Sequence, residues 1–237
     1  MNSGEAASLA AEAYSVVRRR ILRGELAIGQ VISRRKLAAE LGMSFLPVSE
    51  ALLRLEFEGL LESRPRAGTR IRIPSREDVK GHYVVREALE TQAATLFAER
   101  ATEEERAEIM KLAARVDVAS VHEDPTLYPR LHHKLHRRIA ECTRCAALNA
   151  AIEQTNALAS IWFCSKRERD RAAASRRHEE LATILCAGSP ERAADAMRAH
   201  LKVSLEHTMD RLKPYFRLRK ENGRTFIRSE RRRPVFQ

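Results

Sequence analysis

Between Ser33 and Ile73 the apolar pattern switches from a helical to a strand period, and this switch constrains the fold more than any other feature of the chain. Two short helical patterns come first, Arg34 to Leu41 and a second running from Ser44 to about Glu58, joined by the tight break Gly42-Met43-Ser44. Ser33 and Ser44 stand where N-caps are expected, because a short hydroxyl side chain can accept a free N–H of the first turn. Pro47 falls in the first turn of the second helix, where a missing N–H costs little. Val48, Ala51, Leu52 and Leu55 recur at helical spacing and form its inward face. The stretch LLESRPRAGTRIRI (60–73) then alternates, with Ile71 and Ile73 set against Arg70 and Arg72, and with Pro65 and Gly68 supplying a turn. An earlier helix over 9–22 carries Leu9, Ala13, Val16, Val17 and Ile21, and Gly24 and Gly29 follow it as breaks. Helix, helix–turn–helix and hairpin together predict a winged helix-turn-helix. In such a module the N-terminal end of the second helix can enter a major groove. The hairpin arginines Arg64, Arg66, Arg70 and Arg72 can reach the backbone or the minor groove.

Beyond the short linker Pro74-Ser75 nearly everything reads as helix. The expected spans are 76–100, 103–119, 126–141, 146–165, 168–186 and 190–212. Thr102 and Glu105 form a capping-box pattern. Amphipathic helices with short connections suggest an antiparallel bundle. The fold class is therefore mainly α, a winged helix-turn-helix followed by an all-α bundle. Residues 1–74 are expected to form the DNA-binding winged helix-turn-helix domain, 75–212 an all-helical domain, and 213–237 a basic tail expected to be mobile. Of the 237 residues, 44% are hydrophobic and 5% aromatic, which supports a folded, helix-rich chain. No apolar run approaches the roughly 20 residues of a membrane span. The start of the chain lacks the pattern of a secretory signal. A cytoplasmic location without membrane contact is expected.

The net charge of +11 is unevenly spread. Residues 1–74 hold 12 basic and 8 acidic side chains, residues 75–212 hold 22 of each, and residues 213–237 hold 9 and 2. Cationic ends around a neutral middle suit a chain whose ends meet a polyanion, since each phosphate neutralised releases a counterion. Cys142 and Cys145 make a lone C-x-x-C, and with Cys164 and Cys186 they read as reduced thiols of a cytosolic protein. The histidines are more suggestive. His132 and His136 project from one helix face, whereas His133 points elsewhere. His178 and His200 lie on later helices, and a bundle core can bring facing helices together around a cation. Nothing in the local pattern decides whether those two join the pair.

The stretch ILRGELAIGQVISRRKLAAELGMSFLPVSEALLRLEFEGLLESRPRAGTRI (21–71) resembles the GntR family of transcription regulators. DVKGHYVVREALE (78–90), LHRRIAE (135–141), RRHEELATIL (176–185) and AMRAHL (196–201) resemble the FadR-type effector domain of that family, called FCD, in its six-helix form. The resemblance implies a homodimer that binds a short inverted repeat in double-stranded DNA and responds to a small organic acid. It implies a divalent metal held by one Asp and three His, which match His136, His178 and His200, while the family's Asp falls on His132. Four imidazoles shift the metal toward zinc or nickel. Arg86 matches a family arginine near the pocket and is expected to pair with the effector carboxylate. The recognition helix usually begins Ser-Arg-Thr-Pro-Val-Arg, but here it reads Ser44-Phe45-Leu46-Pro47-Val48-Ser49, so altered operator specificity is expected. The DNA-binding set is Arg34, Arg35 and Lys36 on the preceding helix, Ser44, Phe45, Leu46, Ser49 and Arg54 on the recognition helix, and Arg66, Gly68 and Arg70 in the wing.

The leading function is a ligand-responsive regulator acting as a repressor. A regulator with metal itself as effector is the alternative. A bundle metalloenzyme is disfavoured, because Glu179 is the only carboxylate that sequence places near the metal, and it faces away from neighbouring His178.

Overall fold

The computed structural model describes residues 3–64, 68–120, 127–163 and 176–230. It divides into two compact units, one of Met1–Asp78 with the chain from Asp210 onward, the other of Val79–Met209. Among the described residues no helix is long and apolar enough to cross a membrane.

The first unit contains α1 (Ser3–Leu22), β1 (Val31–Ile32), α2 (Arg34–Leu41), α3 (Phe45–Phe57), β2 (Leu61–Arg64) and β3 (Gly68–Ile71). Helix α1 packs along α3. Ala13, Val17 and Ile21 of α1 are buried, as are Val48, Ala51, Leu52 and Leu55 of α3. Ser33 caps α2, its hydroxyl accepting the Lys36 N–H at 3.3 Å. Gly42 closes α2 at φ 63°, a left-handed backbone that a side chain disfavours, and this lets the Met43 N–H return to the Ala38 carbonyl at 3.0 Å. The turn so formed aims α3 across α2. The antiparallel sheet has the order β1-β3-β2, with Glu62 opposite Arg70 and Arg64 opposite Gly68. Strand β1 is a third strand that the sequence pattern does not show. Two residues are too short to display a period, and their pairing with Thr69 and Arg70 defines them as a strand.

The second unit is built from α4 (Arg76–Arg100), α5 (Glu103–Ala119), α6 (Leu127–Cys142), α7 (Ala146–Phe163), α8 (Arg177–Cys186) and the first half of α9 (Pro190–Glu230). The expected spans up to 186 agree closely where they are described; residue 126, residues 164–165 and the start of the helix placed at 168–186 fall outside the described residues. Helix α5 packs against both α6 and α8, and α6 against α7. Their core includes Phe97, Ile109, Leu112, Val116, Leu135, Ile139, Leu185, Met197 and Leu201. Thr102 and Glu105 form the full reciprocal capping box at the start of α5. The Arg106 guanidinium fastens the far end of the bundle by donating to the carbonyls of Ala98, Ala101 and Cys186.

The expected helix end at residue 212 is corrected, because α9 continues to Glu230. Pro214 and the run of cations obscure the period, yet Leu212, Phe216 and Arg219 fall at i, i+4 and i+7. Leu212 and Phe216 are buried. The Arg76 guanidinium lies 4.9 Å from the Phe216 ring centre, and Arg219 donates to the Ile73 carbonyl beside Asp78. The chain from Asp210 onward thus belongs with the first unit.

Candidate functional site

The helix-turn-helix presents the start of α3 outward. Ser44, Phe45 and Leu46 are exposed, and the two apolar side chains keep 52% and 63% of their surface in solvent. Ser44 has the extended backbone of an N-cap, but its hydroxyl makes no capping bond. Ser49 is half-buried, with its hydroxyl unpartnered among the described residues. On α2, Arg35 and Lys36 are exposed; Lys36 reaches Glu40 only at 4.0 Å, and Arg35 has no ion pair among the described residues.

Three expected DNA contacts are engaged inside the unit instead. Arg34 donates to the Thr69 hydroxyl at 3.2 Å. Arg54 lies 4.0 Å from the Tyr14 ring centre and 3.6 Å from Glu58. Arg70 is paired with Glu62 at 2.7 Å, as cross-strand opposition dictates. Gly68 is exposed at the start of β3 with φ 79°, and Arg66 lies outside the described residues.

The second unit gathers the histidines. One turn of α6 sets His132 and His136 side by side, their rings 4.5 Å apart and their Nε2 atoms 3.3 Å apart. His178 comes from the first turn of α8, with its ring 5.2 Å from that of His132 and 5.0 Å from that of His200 on α9. His132, His136 and His200 each offer one nitrogen, all within 4.8 Å of one another, and His178 stands beside this trio. All four expected ligands are therefore neighbours.

Two carboxylates, neither singled out by sequence, orient this centre. Glu90 Oε2 lies 2.6 Å from His136 Nδ1, and its other oxygen accepts from Arg86 Nε at 2.6 Å. Burial alone would raise the Glu90 pKa; the adjacent Arg86 and His136 outweigh it and hold the carboxyl well below its usual range. An ionised carboxylate only accepts, so His136 Nδ1 donates to Glu90 and the ring turns Nε2 toward His132. Asp117 on α5 repeats the device. It lies 2.5 Å from His178 Nδ1 and accepts the backbone N–H groups of His178 and Glu179, capping α8 where Arg176 supplies no side-chain cap. Among the described residues, Nε2 of His178 and Nε2 of His200 are buried without partners. Burial and the neighbouring imidazoles hold His132 and His200 well below the usual histidine pKa, so both rings stay neutral. Two neutral rings, beside two whose Nδ1 faces a carboxylate, suit a divalent cation. The signals for the two carboxylates were present, as acids inside apolar stripes. Glu90 lies four residues after Arg86, and Asp117 sits between Val116 and Ala119.

Arg86 is buried at 1% exposure and tied to Glu90, so it is not a free bidentate partner. Its Nη1 alone is buried without a partner among the described residues, as is Nε2 of His82, whose ring meets the Trp162 ring edge-on at 4.8 Å. The other histidines within the described residues stand apart: His133 faces Glu153, and His207 meets Arg177. Glu179 pairs outward with Arg176 at 3.4 Å. Cys142, Cys145 and Cys186 are free thiols, and burial pushes Cys142 up to about 11. Cys164 lies outside the described residues.

Known proteins match both units. Residues 9–71 fit the model of bacterial regulatory proteins, gntR family, and residues 82–203 fit the FCD domain. A protein of Paenarthrobacter nicotinovorans, described as the probable D-xylose utilization operon transcriptional repressor, is 33% identical over 198 residues, covering 79% of this chain and 83% of its own. The HTH-type transcriptional regulator YdhC of Bacillus subtilis is 31% identical over 153 residues, 64% of this chain and 67% of its own. The crystal structure of a GntR transcriptional regulator from Rhodococcus sp. RHA1 shares the fold, with a TM-score of 0.72 at 22% identity, across 86% of this chain and 98% of that one. Both sequence relatives are described as transcriptional regulators. The chain belongs to the GntR family, and it is a DNA-binding transcriptional regulator that carries an FCD domain.

Proposed function

We propose that the chain is a cytoplasmic repressor that binds a short inverted repeat as a homodimer and senses a small organic acid through a divalent metal. The observation that carries the reading is the inward convergence of imidazole nitrogens, with His136 and His178 each locked by a carboxylate. His132, His136 and His200 would hold the ion, with His178 adjacent. Zinc or nickel suits the all-nitrogen donor set. The ion supplies a Lewis-acidic point of attachment for a carboxylate. Three protein ligands leave a coordination position open, as sensing requires. The unpartnered Arg86 Nη1 adds a cationic donor to the same unit. Effector binding would alter how the dimer spaces its recognition helices, which must match half-sites about 34 Å apart.

The test is metal analysis of the purified protein, joined to a DNA-binding titration with and without a panel of mono-, di- and tricarboxylic acids. The expected result is about one zinc or nickel per chain, lost in His136→Ala, with acid changing the DNA affinity of the wild type only. A metal-free wild type that refuses added zinc and nickel would overturn the reading. Metal as the effector itself is a second reading, favoured by the position of His178, since a fourth protein imidazole would close the site. Thermal unfolding separates the two: metal alone raises the Tm in both cases, and only the acid sensor gains further stability with acid.

A further inference from the structure

We infer that Phe45 and Leu46 read thymine C5-methyl groups, so that this regulator recognises its operator through apolar contacts at the start of α3. Both side chains stand on the first turn of the helix whose N-terminal end enters the major groove in this motif. Both are largely exposed, 52% and 63%, and they are adjacent on that first turn, whereas Leu53 and Phe57, which are also exposed, lie farther along α3. Three cations of the unit have partners within it: Arg34 bonds to Thr69, Arg54 lies beside Tyr14 and Glu58 while staying exposed, and Arg70 pairs with Glu62. Arg35 and Lys36, exposed on α2, supply the cations that hold phosphates and give register without sequence information. In the major groove only thymine presents a methyl group, and Phe is among the side chains that meet it. The groove floor opposite Phe45 and Leu46 is thus thymine-bearing.

This inference rests on the operator-binding reading above, and the experiment separates their failures. Duplexes are selected from a randomised pool with the full-length wild-type chain, then synthesised with uracil in place of individual thymines. Uracil keeps base pairing and the O4 acceptor and lacks only the methyl group. The expected result is a thymine in each selected half-site core whose replacement weakens wild-type binding about fourfold, the factor for one buried methylene-sized group. Phe45→Ala and Leu46→Ala, which leave the core intact, should bind thymine and uracil duplexes alike, with an unchanged salt slope. Specific binding that is indifferent to uracil, or a Phe45→Ala,Leu46→Ala variant that keeps the full thymine preference, overturns this inference alone. A pool from which nothing is enriched overturns both readings.

Discussion

The two units use polar side chains in opposite ways. In the DNA-binding unit the working groups are exposed, and the cations that are not exposed are tied to neighbours on the protein surface. In the helical unit the working groups are buried, and two carboxylates fix which nitrogen of a ring carries the proton. A groove-reading face needs accessible groups that can exchange water for phosphate and base. A cation centre needs groups already stripped of water and aimed, because reorienting them at the moment of binding would cost affinity. The same ion-pair chemistry therefore carries different weight in each place. Removing Glu90 strands the buried Arg86 guanidinium and the His136 proton, and Glu90→Ala is expected to cost about 3–5 kcal/mol. Removing Glu62 from half-buried Arg70 should cost about 1 kcal/mol or less. Urea unfolding of the two variants measures the contrast; equal losses would break the comparison.

Acid should expose the same asymmetry. His82 is held down to about 4 by burial and by Arg86, with Glu90 opposing. The unfolded chain takes up this proton near 6.5, so the folded state binds fewer protons between about 6.5 and 4. Stability is thus full above about 6.5 and falls as pH drops toward 4, by at most about 3 kcal/mol from this residue. His82→Gln should flatten that part of the curve, as read from urea midpoints between pH 7.5 and 4.5. An unchanged slope in the variant would show that His82 is not shielded.

The carboxylate shell gives a sharper probe of the metal. Asp117→Asn keeps an acceptor for the N–H groups that start α8 but no longer fixes His178 as an Nδ1–H donor to a charged partner. Affinity for zinc or nickel should fall about 10–100-fold by calorimetric titration. Unchanged affinity would confine the ion to the trio of His132, His136 and His200, and would favour the open-site sensor over the closed one.

How far these features could be read in advance follows the same division. The order of helices and hairpin was legible because helical period, caps and the Gly42 break are local. Helix 76–100 ends and helix 103–119 begins where Ala101-Thr102 and the capping box place them. The His132–His136 pair was legible for the same reason, being one turn apart. His178 and His200 were assigned through family resemblance, since no local spacing joins α6, α8 and α9. Glu90 and Asp117 escaped notice because their partners lie 46 and 61 residues away. Strand β1 is defined only by its partner, and the end of α9 was hidden by Pro214. The exposed face of α3 was the reverse case, visible in sequence as the departure Phe45-Leu46.

The smallest effects compare two serines that sequence treats alike. Ser33 and Ser44 both precede a helix with extended backbone, yet only the Ser33 hydroxyl accepts a first-turn N–H. Ser33→Ala is therefore expected to cost about 1 kcal/mol, the usual loss of a cap. Ser44→Ala should cost only a few tenths, because no capping bond is lost. The order should invert in DNA binding. Ser44 lies beside Phe45 on the exposed start of α3, whereas Ser33 lies at the far end of α2 from the turn. Thermal unfolding paired with a binding titration at fixed salt reads both quantities in each variant. If Ser44→Ala proves as destabilising as Ser33→Ala, its hydroxyl is a cap after all, and the start of α3 is held by the protein rather than kept open for the groove.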